Sequence, residues 1–600
     1  MENITASKNV TKAADSISKT AFILDGYVDE PACLGVPPYI SPYVRYCAGV
    51  CSENGYEVKY ATIDMLRKTP EILLEIEGCD LFICIAGVTV PGKYLGGTPA
   101  DSGEINRIAS SLKRPRKVLG GPIVFGNAAG GGSKAESDSY SLYDCLLSGE
   151  IADALNRYLR TYIEDPDGAG RHSKGTGGAN AQNADNADNA ETAGRIIRGT
   201  LEYGNIDHWS VLGSGIIKLH PSYPHVVCEL ETARGCSRAE VGGCAFCTEF
   251  LYGMPRYRTP EGITAEVAAL HNAGARYFRL GRQPDLLAYG ASSHMGTAKP
   301  RPEKIEALFA GIRESAPELK VLHIDNINPC TIAAYPDESR AALETIAAYN
   351  TAGDTAALGL ESADPAVVEA NNLKAYADDV YTAVKIINEA GAKRDINGVP
   401  KLLPGLNFVT NLAGETEETY DLNEKFLRRI LDDGLMTRRI NIRQVMPFEG
   451  TKAYGNNTIG LHAKRFKQFK ENVREKFDLP MLKRVLPQGT ILTDAVVEVS
   501  GNISFARQLG SYPILIGIPY ELPVGTVGDF FVTDWGYRSV TAFQKPFRIN
   551  TASHAVIKKL PNMGKKTGTN VFVKRPYRNA AEFGKVAGTQ FYTEFIDFSL

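Results

Sequence analysis

Pro224-His-Val-Val-Cys228-Glu-Leu-Glu231-Thr-Ala-Arg-Gly-Cys236-Ser-Arg-Ala-Glu-Val-Gly-Gly-Cys244-Ala-Phe-Cys247 runs an apolar strand into a glycine-rich loop that carries three thiols. Three thiolates around an iron–sulfur cluster leave one iron without a protein ligand, and an open iron can bind and split a small molecule. Zinc is the alternative, but structural zinc needs a fourth ligand at short spacing. Cys228 is the nearest candidate, and in an apolar strand it reads as a small buried hydrophobe. Gly235, Gly242 and Gly243 let the backbone wrap closely around a bulky cofactor, which favours the cluster.

Downstream, strand and helix patterns alternate. After the strand at 225–231 come Arg276-Tyr-Phe-Arg-Leu-Gly281, Lys320-Val-Leu-His-Ile-Asp325, Thr355-Ala-Ala-Leu-Gly-Leu360, Gly405-Leu-Asn-Phe-Val-Thr410 and Arg439-Ile-Asn-Ile-Arg-Gln-Val445. Helical segments are predicted at 261–273, 302–314, 338–349, 377–390 and 416–431. Repeated βα units of this number imply a partial parallel (β/α)6 barrel, whose chemistry lies on the loops after the strands. The thiol loop follows the first strand.

Upstream, Ala21-Phe-Ile-Leu-Asp25, Glu57-Val-Lys-Tyr-Ala61, Asp80-Leu-Phe-Ile-Cys-Ile-Ala-Gly87 and Lys117-Val-Leu-Gly-Gly-Pro-Ile-Val-Phe125 read as buried strands of an open parallel sheet. Ligands of such sheets bind at the carboxyl ends of the strands, where Gly87, Gly120, Gly121 and the turn Leu147-Ser-Gly-Glu150 fall. Residues 166–195, with a repeating Asn-Ala-Asp, lack large apolar side chains and read as a solvated insertion or tether. The expected division is a tail at 1–19, an α/β domain at 20–160, a linker at 161–196, a connector at 197–223, the barrel at 224–484, and two C-terminal modules at 485–550 and 551–600.

With 600 residues the chain exceeds one ordinary core, and a net charge of −3 excludes a global nucleic-acid field while allowing a local basic patch. No run is long and apolar enough for a membrane span, and the polar start Met1-Glu-Asn-Ile-Thr does not resemble a secretory signal. Eleven scattered cysteines fit a reducing compartment, so a cytoplasmic location is expected. Cys33, Cys47, Cys51, Cys79, Cys84 and Cys145 could include ligands of a second cluster, yet Cys79 and Cys84 flank an apolar run and core packing is the favoured reading.

Residues 485–548 change to short strands with glycine turns, a small β-barrel in which Arg507, Tyr512, Trp535, Tyr537, Arg538 and Lys545 offer cations and stacking faces. Residues 554–583 read as helix, tight turn, helix, with Gly564, Lys565 and Lys566 in the turn and further lysines and arginines around it. A glycine turn of this kind exposes N–H groups to a nucleic-acid phosphate.

On these residues, 224–480 resembles a radical S-adenosylmethionine (SAM) domain, with a CxxxxxxxCxxC spacing longer than the common one and Phe246 before the last cysteine. The resemblance implies that Cys236, Cys244 and Cys247 hold a [4Fe–4S] cluster whose open iron chelates SAM, giving methionine and a 5′-deoxyadenosyl radical. It places Gly281, Arg282 and Gln283 at the glycine-rich motif near the methionine group, although Leu-Gly-Arg-Gln departs from the usual GGE. It places Glu361 and Ser362 in the fourth-strand motif, Asn411 in the fifth-strand motif near adenine, and Arg443 on the sixth strand.

The N-terminal domain resembles a cobalamin-binding-like domain without the Asp-x-His-x-x-Gly motif, which allows cobalamin as a further cofactor. The C-terminal modules resemble an RNA-binding TRAM or oligonucleotide-binding barrel, with Arg507 and Arg538 as contacts, and a helix-hairpin-helix. The whole order is similar to a largely archaeal group of radical SAM proteins. The expected function is modification of tRNA or rRNA by methylation or sulfur insertion, with a reductase or ferredoxin as electron donor. The alternatives are a cobalamin-dependent radical methylase of a protein or small molecule, and a zinc-stabilised nucleic-acid-binding protein.

Overall fold

A computed structural model describes residues 19–30, 33–34, 38–88, 97–126, 131–135, 138, 140–164, 196–588 and 592–599. The predicted tail and nearly all of the low-complexity stretch lie outside the described residues.

The N-terminal unit is a sheet, parallel except for the edge dipeptide Cys33–Leu34, which runs antiparallel to the end of the first strand. Its strands are β1 (Lys19–Glu30), β3 (Tyr56–Thr62), β4 (Leu81–Val88), β5 (Arg116–Gly120), β6 (Cys145–Gly149) and β7 (Ile196–Gly199), in the order β3-β1-β4-β5-β6-β7. The central strands are apolar on both faces because helices cover both sides: α1 (Pro42–Glu53) and α2 (Ile151–Glu164) on one, and the helices Ile63–Lys68, Ile72–Glu77 and Ser102–Ser111 on the other. β5 ends sooner than predicted: Gly121, at φ 100, turns the chain, and Pro122–Phe125 forms a 3-10 turn. β7 returns to the same sheet beyond the low-complexity residues, so the strands before and after that stretch belong to one unit.

The second unit is the (β/α)6 partial barrel. Parallel strands β8 (Val227–Glu231), β9 (Tyr277–Gly281) and β10 (Val321–His323) continue into β11 (Asn326–Ile327), β12 (Asp354–Glu361), β13 (Leu402–Thr410) and β14 (Arg439–Gln444). β10 and β11 are one strand broken at Ile324 and Asp325. There the Asp354 carboxylate accepts from the Ile324 and Thr355 N–H groups at 3.1 and 2.7 Å and from the Asn350 amide.

The dipeptide β2 (Tyr39–Ile40) leaves the first sheet and pairs with β8 instead. α1 follows it, and the buried Arg45 fastens this helix to the barrel through Glu266 and the Glu229 carbonyl. The first unit is thus bolted to the second by its own early residues.

The third unit is a closed five-stranded barrel of β15 (Ile491–Val499), β16 (Ser504–Arg507), β17 (Leu515–Ile518), β18 (Val527–Trp535) and β19 (Ser539–Lys545). Helices α3 (His554–Ile557), α4 (Lys565–Val573) and α5 (Ala580–Ala587) pack on it around Phe531, Phe543 and Phe547. This barrel meets the partial barrel at the amino ends of its strands: Lys320 pairs with Asp494 at 2.9 Å, Ile491 N–H donates to Asn397, and Arg538 donates to the Ile440 carbonyl. The loop between β16 and β17 enters the partial barrel, where Ser511 bonds His323 and Ile324, and Tyr512 donates to Asp325 at 2.6 Å.

Candidate active site

The opposite end, where the strands finish, is the mouth. The thiols of Cys236, Cys244 and Cys247 stand there half-buried after β8: Cys236 caps a short 3-10 turn (Ser237–Val241), and Cys244 and Cys247 lie between it and a second one (Glu249–Tyr252). Gly235 lies at φ 89, and a Cβ on it would come within 2.7 Å of the Gly253 and Met254 carbonyls; one on Gly243, at φ 68, would collide with Phe250. At these two positions the fold requires glycine.

A segment that the sequence did not single out clamps this loop. Asn372 donates to the Val241 and Gly243 carbonyls at 2.9 and 2.6 Å, Arg238 donates back to the Asn372 carbonyl, and Ala245 N–H donates to Asn371. The Asn371 side chain in turn donates to Ala413, beyond β13. Only a loop with no periodic pattern carries these residues, so nothing in the sequence marks them.

Burial pushes the Cys236 thiol up to about 11 and raises Cys244 and Cys247. The Arg238 N–H at Cys236 and the Glu249 N–H, 3.4 Å from the Cys247 sulfur, act the other way, as do the Arg238 and Lys374 cations facing Cys244. Donors and cations directed at sulfur favour thiolates once metal binds. Three thiols with this surround fit a [4Fe–4S] cluster. Cys228, the fourth ligand that zinc would need, is fully buried in the core on β8. Among the described residues no group of three or more His, Cys, Asp or Glu side chains is placed to hold a single metal ion.

Three non-glycine residues with left-handed backbone stand at the ends of β9, β12 and β13: Arg282 at φ 59, Glu361 at φ 61 and Asn411 at φ 68. Such conformations are costly and gather at ligand sites. Gln283 is buried with its Oε1 lacking a partner, an acceptor suited to the ammonium of SAM. Burial pushes Glu361 up to about 7, against the pull of Lys374 and Arg443. Gly359 makes the room: a Cβ there would fall 2.5 Å from Lys374 Cε and collide with the Glu361 carboxylate.

Gly281 serves similarly, since a Cβ would strike Glu229, the partner of Arg279. Asn411 is fixed by Glu415 on its N–H at 2.7 Å and by Gln444 on its Oδ1 at 2.9 Å. Ser362 caps Asp364 N–H at 3.2 Å, and Phe246 packs with Cys244 against Val367, Leu412 and Val445. Asp285, unmarked in the sequence, is pushed up to about 6 by burial while accepting from Leu287, Asn328 and Thr331.

The carboxyl end of the N-terminal sheet faces this mouth. Glu150, after β6, pairs with Arg234 at the base of the thiol loop; Arg282 stacks 5.2 Å from the Tyr43 ring and pairs with Glu249 at 3.5 Å. The loop after β5 reaches across, with Gly132 N–H on the Val445 carbonyl and Ala135 N–H on Pro447. Gly87 and Gly121 are filled by each other's strands, at Ile123 and Ala86. These glycines and Glu150 therefore serve packing and pairing. The buried Cys47, Cys51, Cys79, Cys84 and Cys145 lie in the two cores of this unit.

The remaining sequence candidates lie at the far end. Arg507 holds Glu498 through Nε at 3.0 Å and Nη2 at 2.9 Å, and Arg538 holds Asp478 at 2.9 Å. Tyr512 is stacked under Arg439, 3.7 Å from its ring centre, rather than open to a base. Gly564, Lys565 and Lys566 are exposed at the start of α4.

The sequence profile of the Radical SAM superfamily matches residues 230–421, which span the thiol loop and the strand ends to β13. An uncharacterized protein of Archaeoglobus fulgidus is 39% identical over 95% of this chain and 98% of its own length. One of Methanocaldococcus jannaschii is 41% identical over 87% of this chain and 92% of its own. Among solved structures, the radical S-adenosylmethionine methyltransferase TsrM from Kitasatospora setae, with cobalamin and [4Fe–4S] cluster bound, is similar with a TM-score of 0.46 at 12% identity, over 73% of this chain and 77% of that one. The cobalamin-dependent S-adenosylmethionine radical enzyme OxsB is similar with a TM-score of 0.45 at 12% identity, over 76% of this chain and 56% of that one. With its three thiols at the mouth of a (β/α)6 barrel and relatives matching it nearly end to end, the chain belongs to the radical SAM superfamily, in a group shared with these archaeal proteins.

Proposed function

We propose that this radical SAM enzyme modifies a small molecule or a protein segment held between the barrel mouth and the carboxyl end of the N-terminal sheet. When bound, the [4Fe–4S] cluster and SAM supply reductive cleavage to methionine and a 5′-deoxyadenosyl radical. The chain's own part is to hold the thiolates with Arg238 and backbone N–H groups, to present Gln283 and Glu361 to the ligand, and to cover the mouth.

One observation carries the reading: the Glu150–Arg234 pair and the contacts of 131–135 with 445–447 turn the ligand-binding edge of a parallel sheet toward the thiol loop. The C-terminal modules stand at the other end of the barrel strands. Group transfer to an unreactive carbon, methylation included, is the chemistry such a covered site suits, because water exclusion protects a radical. Cobalamin as methyl carrier belongs to this reading only if a corrin binds, which absorbance of the anaerobically purified protein decides.

Modification of tRNA or rRNA is the second reading, favoured by the exposed Lys565 and Lys566 at the helical turn. Mass spectrometry of metabolites, tryptic peptides and RNA nucleosides from cells with and without the gene separates the two. A mass change confined to RNA nucleosides would overturn the first.

A further inference from the structure

The loop between β16 and β17 leaves the closed barrel and ends inside the partial one. Its Tyr512 takes a left-handed backbone at φ 51, a conformation that a bulky residue keeps only where its surroundings fix it. Here the surroundings are the break between β10 and β11. Ser511 donates its hydroxyl to the Ile324 carbonyl at 3.0 Å, and Tyr512 donates to Asp325 Oδ1 at 2.6 Å.

Asp325 passes this hold to the neighbouring strand. Its other oxygen pairs with Arg279 Nη2 at 2.6 Å, Arg279 Nε donates to Ser511 Oγ at 3.2 Å, and Arg279 Nη1 pairs with Glu229. All three charged side chains are buried, so each relies on its partners to offset the loss of water. Glu229 in turn lies against Gly281, where a Cβ would strike it. Two hydroxyls from the closed barrel thus complete a charge network that ends two residues short of Gln283.

Gln283 itself is lightly held. Its Nε2 donates to the Leu280 carbonyl and its own carbonyl accepts from Asn326 Nδ2, both at a long 3.4 Å. Leu280 follows Arg279 in the chain and Asn326 follows Asp325, so the two supports of Gln283 are the direct neighbours of the ion pair. A shift of that pair shifts both.

We infer that Ser511 and Tyr512 are positioning residues for SAM binding: they set the Arg279–Asp325 pair, and through it the orientation in which Gln283 presents its Oε1 at the mouth. The inference rests on the reading that Gln283 meets the ligand. The closed barrel is then a support of the SAM site, and whatever displaces its loop lowers the affinity for SAM.

Equilibrium dialysis of SAM against the anaerobically reconstituted full chain tests this as a double-mutant cycle. Tyr512→Phe removes one hydroxyl and should weaken SAM binding roughly fivefold, within the range of couplings between residues of one network. In a Gln283→Ala chain the same change should cost less than about twofold, because the group it positions is gone. Tyr537→Phe, on an exposed ring of the same barrel, should leave the affinity unchanged. Ser511→Ala removes the acceptor of Arg279 Nε and should act in the same direction as Tyr512→Phe. It is the deciding variant if Tyr512→Phe brings the thermal midpoint down to the assay temperature.

An equal loss from Tyr512→Phe with and without Gln283, or as large a loss from Tyr537→Phe, would show an effect on stability alone and overturn the inference. Unchanged affinity in the Tyr512→Phe and Ser511→Ala chains, while Gln283→Ala weakens binding, would overturn it too and leave Gln283 in the site. Unchanged affinity in the Gln283→Ala chain would instead remove Gln283 from the site, and this route with it.

Discussion

Glu361 shows how single residues at the mouth are shaped for a ligand. It takes a left-handed backbone at φ 61, its carboxyl is held up to about 7 by burial, and a missing Cβ at Gly359 gives it space beside Lys374. None of this serves packing alone. Glu361→Gln keeps the shape and removes the charge, so SAM affinity should fall about ten- to a hundredfold, at about 1.5–3 kcal/mol for a hydrogen bond to a charged group, while cluster absorbance stays as it was. Unchanged SAM affinity by equilibrium dialysis would remove Glu361 from the site. The sequence marked Glu361, Arg282 and Asn411 through their motifs, because each follows an apolar strand. It did not mark Lys374, Asn371 or Asn372, which reach the thiol loop only after the chain has gone round three more βα units.

Among the elements, the clamp of 371–374 on the thiol loop and the break between β10 and β11 each rest on a few polar groups. Asn372→Ala removes two donors to the Val241 and Gly243 carbonyls and strains a residue at φ 47. The expected cost is about 2 kcal/mol in loop order, read as lower iron retention after gel filtration at an unchanged far-UV spectrum.

At the break, burial pushes Asp354 up to about 8, although the Thr355 and Ile324 N–H groups and the Asn350 amide pull it down. A carboxyl protonated in the fold but ionised when unfolded binds more protons in the native state, so it lowers stability as pH rises from about 4 to about 8. Asp354→Asn lacks that titration. Urea midpoints at pH 5 and pH 8 should show the wild type losing ground to the variant, by on the order of 1–3 kcal/mol. Parallel midpoints would show that Asp354 is ionised throughout.

The barrel helices and strands were legible to within a few residues, since their apolar periods and length leave little choice. β2 and β7 were not: a dipeptide and a four-residue edge strand carry no period, and only long-range pairing defines them.

At the scale of the molecule, the partial barrel joins the other two units: the carboxyl end of the parallel sheet meets its mouth, and the closed barrel meets the amino ends of its strands. Sequence patterns named the units but could not order them in space. That arrangement follows from Arg45 on Glu266, from Tyr39, which pairs with β8 and donates to the Gly510 carbonyl, and from Ser511 and Tyr512 of the same loop, contacts between residues hundreds of positions apart. It also places Arg538 and Tyr512 at the junction of the barrels, on Asp478, Ile440 and Asp325, while Arg507 pairs with Glu498 within the closed barrel.

The central claim is that the three half-buried thiols at the mouth hold the cluster that splits SAM. Its most direct test is anaerobic reconstitution with iron and sulfide, followed by SAM and dithionite, with iron and 5′-deoxyadenosine measured together. The wild type should hold about four irons per chain and form 5′-deoxyadenosine, and replacing Cys236, Cys244 or Cys247 with alanine should abolish both. Stoichiometric zinc in place of iron, or undiminished 5′-deoxyadenosine from the Cys244→Ala protein, would contradict it.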